Sequence, residues 1–121
     1  MNTWTSLRTF LDSLESESGY KQVDPISQRI LEWISLRNRA GAPLHVQEII
    51  MKSQVASPAT VHKSLSTLEY RGLITITIDA NDTRRRIVTV TSAAEKLLTK
   101  LSRGVESWAK SVGNASGSRA D

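Results

Sequence analysis

Three consecutive arginines, Arg84-Arg85-Arg86, stand directly after Asp82-Thr83. Guanidinium groups set this densely suit two tasks. They clamp phosphate oxygens bidentately, or they enter the narrow and strongly negative minor groove of a nucleic-acid duplex. Asp82, two residues before Arg84, is placed to orient that guanidinium through an ion pair. The bland alternative is a charged turn that only keeps the surface soluble. A second constellation lies upstream: Ser57, Ala59, Thr60, His62, Lys63, Ser66 and Thr67. Its side chains are short, polar or cationic, as a helix face pressed into a major groove requires. Thr60, His62 and Lys63 are candidates for base edges, and Ser57 with free backbone N–H groups for a phosphate. A solvated helix face is the bland alternative here.

These groups need elements to position them, and Ser57–Thr91 supplies them in order. Ser57-Pro58 is an N-cap and proline pair that opens a helix, Val61, Leu65 and Leu68 form its buried side, and Gly72 ends it. At about 100° per residue, the face opposite that stripe centres on Ala59, Lys63 and Ser66, with Thr60, His62 and Thr67 flanking it. Ile74, Ile76 and Ile78 then alternate with Thr75 and Thr77, and Val88 with Val90 alternate likewise, so two half-buried strands form a hairpin. The arginines fall at its tip. Helix, hairpin and basic tip in that order are the parts of a winged helix-turn-helix.

Upstream, Trp4, Leu7, Leu11 and Leu14, with Phe10 alongside, form one stripe on a helix over residues 3–17, and the polar segment Ser16–Val23 reads as a loop. Asp24-Pro25 opens a second helix with Ile26, Ile30, Leu31, Trp33 and Ile34 inward, closed by Arg37-Asn38-Arg39-Ala40-Gly41. Ala42–His45 reads as an extended connection and Val46–Ser53 as a short helix with a poorly marked cap, followed by a turn at Gln54-Val55-Ala56. Ser92-Ala93-Ala94-Glu95 has the capping-box spacing and starts a final helix striped by Leu97, Leu101, Val105, Trp108 and Val112. Gly113–Asp121 is small and polar and reads as a disordered tail.

The chain has 121 residues, enough for one domain with a modest core. Its formal charge is +4, which suits a polyanionic partner without proving one. The charge is uneven: residues 1–24 carry two basic and four acidic side chains, and residues 54–91 five basic and three acidic. There is no cysteine, which removes disulfides, thiolate chemistry and Cys-based metal sites together. The start, MNTWTSLRTFLDSLESES, lacks the basic and apolar regions of a signal peptide, and no apolar run is long enough to span a bilayer. A cytoplasmic protein is expected, with no membrane partner.

Enzyme chemistry is not expected. His45 and His62 lie on different elements with no carboxylate cluster in sequence, and both read as surface histidines. No phosphate-cradling Gly-rich loop or nucleophile elbow occurs, so no catalytic residue, metal or cofactor is assigned.

At two motifs the chain resembles the MarR family of winged-helix transcription regulators. The family's wing ends in Asp, any residue, Arg and a strand closing in an apolar residue and Thr, which stands here as Asp82-Thr83-Arg84-Arg85-Arg86-Ile87-Val88-Thr89-Val90-Thr91. Its recognition helix ends in a Leu-Glu-x-x-Gly-Leu motif, here Leu68-Glu69-Tyr70-Arg71-Gly72-Leu73. The resemblance covers residues 26–100. It implies that Arg84 takes the wing arginine's role, that Asp82 orients it, and that Thr60–Lys63 sits in the major groove. The chain departs from the family in having Thr75 and Thr77 where basic residues are frequent, Ala94 where Gly is common, and room for one helix after the wing instead of two.

The terminal stripes, with Trp4, Leu7, Leu11 and Leu14 at one end and Leu101, Val105 and Trp108 at the other, continue past what a single small winged helix can cover. A two-fold homodimer is the simplest cover, and the resemblance implies the same. The expected fold is therefore mainly α with a small β-hairpin. It divides into an N-terminal dimerisation helix and linker (1–24), a winged helix-turn-helix (25–91), a C-terminal dimerisation helix (92–112) and a tail (113–121). The expected function is sequence-specific binding of double-stranded DNA by a homodimeric regulator. A winged-helix protein-interaction module and a non-specific architectural DNA binder are the alternatives. No residue cluster specifies an effector, an operator, or activation against repression.

Overall fold

The computed structural model describes residues 2–38 and 41–119, and side chains as far as residue 113. Five helices and three strands follow one another as α1 (Thr3–Ser18), a 3-10 turn (Tyr20–Gln22), α2 (Pro25–Asn38), β1 (Leu44–His45), α3 (Val46–Lys52), α4 (Pro58–Tyr70), β2 (Ile74–Ile78), β3 (Arg86–Val90) and α5 (Ser92–Arg119). The chain divides into two compact units, Val23–Glu95 and Met1–Gln22 with Lys96–Asp121.

In Val23–Glu95, Asp24 caps α2 by accepting from the Ser27 N–H at 3.1 Å, with Pro25 in the first helical position. Ile30, Leu31 and Ile34 of α2, Ile49 of α3 and Val61, Leu65 and Leu68 of α4 interlock with Ile74 and Val88 of the sheet, each no more than 1 % exposed. Trp33 is half-buried, with the Arg37 guanidinium 5.0 Å from its ring centre. Arg39 and Ala40, part of the helix end expected after Arg37, lie outside the described residues. The turn from α3 to α4 passes through Gln54 at φ 52°, a left-handed conformation uncommon for a residue with a side chain. Past α4, Gly72 at φ 75° lets the Leu73 N–H reach back to the Leu68 carbonyl at 2.9 Å.

The sheet has three antiparallel strands in the order β1-β3-β2, one more than the hairpin expected from sequence. Leu44 pairs with Val88 and His45 with Ile87. Ala42–His45 therefore ends as a strand and not merely as an extended connection. Two residues are too few for alternation to register, and the pairing partner lies more than forty residues away. Along β2 the three isoleucines share a face, but burial fades from Ile74 through Ile76 to Ile78, which is 68 % exposed where the hairpin leaves the core. Ile78 pairs with Arg86 there.

The cap of α5 is Thr91 and not the Ser92 expected from the capping-box spacing: its hydroxyl oxygen accepts from the Ala94 N–H at 3.2 Å. The other end differs too. The backbone stays helical to Arg119, past Gly113, where a disordered tail was expected; residues 120–121 of that tail lie outside the described residues. Once a long helix is nucleated, each further residue adds a hydrogen bond without a new nucleation cost, so small polar residues are carried along.

In the other unit, Asn2 caps α1 by accepting from the Thr5 N–H at 2.8 Å, and Gly19 at φ 83° closes it. Phe10 of α1 stacks on Trp108 of α5, ring centres 5.9 Å apart. Leu14 packs onto Gly104, where an added Cβ would stand 2.9 Å from a Leu14 methyl. No residue of α1 is fully buried.

Candidate nucleic-acid interface

The expected contact residues of α4 lie on its outer side. Ser57, Ala59, His62, Lys63 and Ser66 are exposed, and Thr60 and Thr67 half-buried, opposite the core stripe of Val61, Leu65 and Leu68. Several of these hydroxyls are already engaged. The Ser57 Oγ accepts from the Thr60 N–H at 3.4 Å and lies 3.0 Å from the Thr60 hydroxyl, and the Thr67 hydroxyl donates to the Lys63 carbonyl at 3.0 Å. Ser57 is thus first a helix cap. Among the described residues Lys63 has no ion-pair partner, so its ammonium is held by nothing but its own stem.

The three arginines take three different positions. Arg84 is bound by Asp82 through Nε at 3.1 Å and Nη2 at 3.4 Å, and the Asp82 carboxylate also accepts from the Arg84 N–H at 3.2 Å. These contacts hold the Asp82 carboxyl below its usual range. The Arg84 side chain is nevertheless 89 % exposed, so the ion pair fixes its direction without hiding it. Arg85 stays 48 % exposed while its Nη2 lies 3.9 Å from Glu48 of α3. Arg86 is exposed and, among the described residues, free of an ion-pair partner. The loop is tied at its base by the Asp79 N–H donating to the Arg85 carbonyl at 3.0 Å and within by the Arg85 N–H to the Asp82 carbonyl at 2.9 Å.

Tip and helix meet across a cleft of about 400 Å³ lined by His45, Val46, Gln47, His62 and all three arginines. A neighbouring groove of about 370 Å³ runs between α4 and β2, past His62, Ser66, Ile76 and Arg86. Val46, His62 and Arg86 line both. Basic and neutral polar groups therefore converge between α4 and the wing, with the Glu69 carboxylate beside them in the second groove, and the chemistry offered by the arginine-lined cleft is hydrogen bonding to an anion.

Val46, Gln47 and Glu48 entered this region without being expected there, and His45 is not the surface histidine it was read as. It is 8 % exposed. Its Nδ1 lies 3.0 Å from Glu48 Oε1 and its Nε2 2.9 Å from Asp79 Oδ2, while the Glu48 carboxylate also accepts from the His45 N–H at 3.2 Å. Asp79 and, secondly, Glu48 raise the His45 pKa above 6.5, and His45 in turn lowers both carboxyls. The His45-x-x-Glu48 spacing carries a cap signal, visible once a histidine is allowed in place of Ser or Thr. Among the described residues no group of His, Cys, Asp and Glu could hold a metal, and no helix is long and apolar enough to cross a membrane.

Leu7, Leu11, Leu14, Leu101 and Trp108 of the terminal helices are half-buried, and Trp4 and Val105 exposed. The Arg8 guanidinium stands 5.7 Å from the Trp4 ring centre.

No family model matches the chain, and no curated protein matches it in sequence. Solved structures do. MepR of S. aureus, in a complex with DNA, is similar over 92 % of this chain and 78 % of its own, at 20 % identity and a TM-score of 0.75. The transcriptional regulator Tm0710 of Thermotoga maritima is similar over the same shares, at 22 % identity and a TM-score of 0.67. Heme-free PefR is similar over 89 % of this chain and 90 % of its own, at 14 % identity and a TM-score of 0.63. Helices α3 and α4 and the three-stranded sheet with its basic tip thus form a winged-helix fold, the fold of these solved regulators.

Proposed function

We propose that the chain is a double-stranded DNA-binding transcription regulator, not an enzyme, that reads sequence as a homodimer. The observation that carries this is the convergence of His62 on α4 with Arg84–Arg86 around one cleft. The exposed α4 face, with Thr60, His62, Lys63 and Ser66, enters the major groove, while Arg84, aimed by Asp82, reaches the minor groove or its phosphates. Ser57, Ala59 and Thr67 border that contact, and Arg85 and Arg86 face the backbone. Likeness to a protein solved on DNA supports this reading at the level of fold.

Dimerisation is supported by the terminal helices. Trp4 is 67 % exposed and α1 has no buried residue, so Trp4, Leu7, Leu11, Leu14, Leu101, Val105 and Trp108 gain most from a second copy of the same surface. Two α4 helices related by a two-fold axis then read half-sites about one helical turn apart.

Selection of bound duplexes from a randomised pool at near-physiological salt tests the proposal. Enrichment of an inverted repeat with half-sites about 10 base pairs apart is expected. Retention of DNA without enrichment replaces sequence reading by architectural binding. No retention overturns DNA binding and leaves the basic wing to an acidic protein partner.

A further inference from the structure

The His45 imidazole is held between two carboxylates that are distant in sequence. Glu48 belongs to the first turn of α3, and Asp79 is the residue at which β2 gives way to the arginine-bearing loop. With its ring nitrogens 3.0 Å and 2.9 Å from these carboxylates and a side chain only 10 % exposed, the ring ties the root of the wing to α3. A neutral imidazole carries one N–H and one lone pair, so it donates to only one of them; the imidazolium donates to both. We propose that His45 is a positioning residue for DNA binding: its imidazolium pins the wing root to α3, setting where Arg84–Arg86 stand relative to α4, and its deprotonation releases the wing and weakens binding. This rests on the DNA-binding reading above.

The surroundings favour the clamped form. From α3 the ring faces Glu48, which Lys52 approaches to 3.8 Å and Arg85 to 3.9 Å. From the wing it faces Asp79, with the Asp82–Arg84 pair beyond, and across the cleft stand His62, Arg84 and Arg86. The two adjacent carboxylates outweigh burial and Arg85, so the proton leaves above the ordinary histidine value of 6.5. Below that value both links are made. As pH rises through the raised pKa, one carboxylate comes to face a lone pair.

The test begins without DNA, by NMR of the full chain from about pH 6 to about pH 9. The His45 ring and the wing amides of residues 79–86 should titrate together, and in Asp79→Asn, which keeps an acceptor but loses the charge, both should titrate at lower pH. At constant ionic strength, affinity for a selected duplex should then fall roughly three- to tenfold across the same span, in the parent chain and in His62→Gln alike. His45→Gln should bind more weakly and lack that step. Wing amides that stay still while His45 titrates overturn the clamp, as does a His45→Gln variant that keeps the step. A parent chain that binds no duplex at any pH overturns the proposed function and with it the role in DNA binding, and the coupled titration still decides the clamp.

Discussion

In Val23–Glu95, Ile30, Leu31, Ile34, Ile49, Val61 and Leu68 are wholly removed from solvent, and Leu65, Ile74 and Val88 nearly so. In the unit made by α1 and the body of α5, Tyr20 alone among the described residues is buried, although Leu7, Phe10, Leu11, Leu14, Leu101 and Trp108 form apolar stripes as regular as those of the core. The same periodicity thus has two outcomes. Where three helices and a sheet converge, a stripe is enclosed. Where two helices meet through a Phe10–Trp108 stack and a Leu14–Gly104 contact, it stays half open. Folding alone completes the first, and the second is the surface that the proposed homodimer would complete.

Paired leucine substitutions probe that contrast most strongly. Leu65→Ala should lower unfolding stability by about 3 kcal/mol through cavity formation, read as a shift of the denaturation midpoint with little change in its concentration dependence. Leu11→Glu should act chiefly on assembly, halving the mass measured by light scattering while the Val23–Glu95 core still unfolds cooperatively. A monomeric parent chain would break the comparison, since the open stripes would then be stable as they stand.

Arg84→Ala should leave both stability and mass in place. It should weaken binding to most duplexes and flatten the dependence of affinity on salt by about one unit of slope. An unchanged slope removes Arg84 from the contacts.

Stability should also vary with pH in Val23–Glu95. The raised His45 value gives a contribution that is present below 6.5 and lost as pH rises through the raised pKa. The lowered Glu48 and Asp79 values give one present above 4.5 and 3.8 and lost as pH falls. The melting temperature should therefore peak between these limits, and His45→Gln should remove the alkaline decline.

Gly104→Ala should do least. Alanine raises helix propensity by about 0.5–1 kcal/mol, but its methyl must displace the far end of Leu14, an offset of similar size, so the midpoint should barely move. A large loss would show that Leu14 has no room to turn.

The helices and the wing strands were legible because each carries its own signals: Asp24-Pro25 and Ser57-Pro58 at the starts, Gly72 at an end, and alternation from Ile74 and from Val88. Asp82 and Arg84, two residues apart, suggest their ion pair directly. What sequence hid depends on distant partners. β1 is two residues long and exists only because β3 lies beside it. The environment of His45 is fixed by Asp79, 34 residues away. Ile78 carries the same alternation as Ile74 yet stands in solvent, because periodicity marks a face and not how far the core extends beneath it.

Thr91 has a single hydroxyl that donates to the Gly72 carbonyl at 2.7 Å and accepts from the Ala94 N–H at 3.2 Å, while its own N–H donates to the Leu73 carbonyl at 3.1 Å. The close of α4, the end of the hairpin and the first turn of α5 therefore share one residue. Fraying of any one of the three strips a bond from Thr91, and in hydrogen exchange their amides should open together rather than as three separate events.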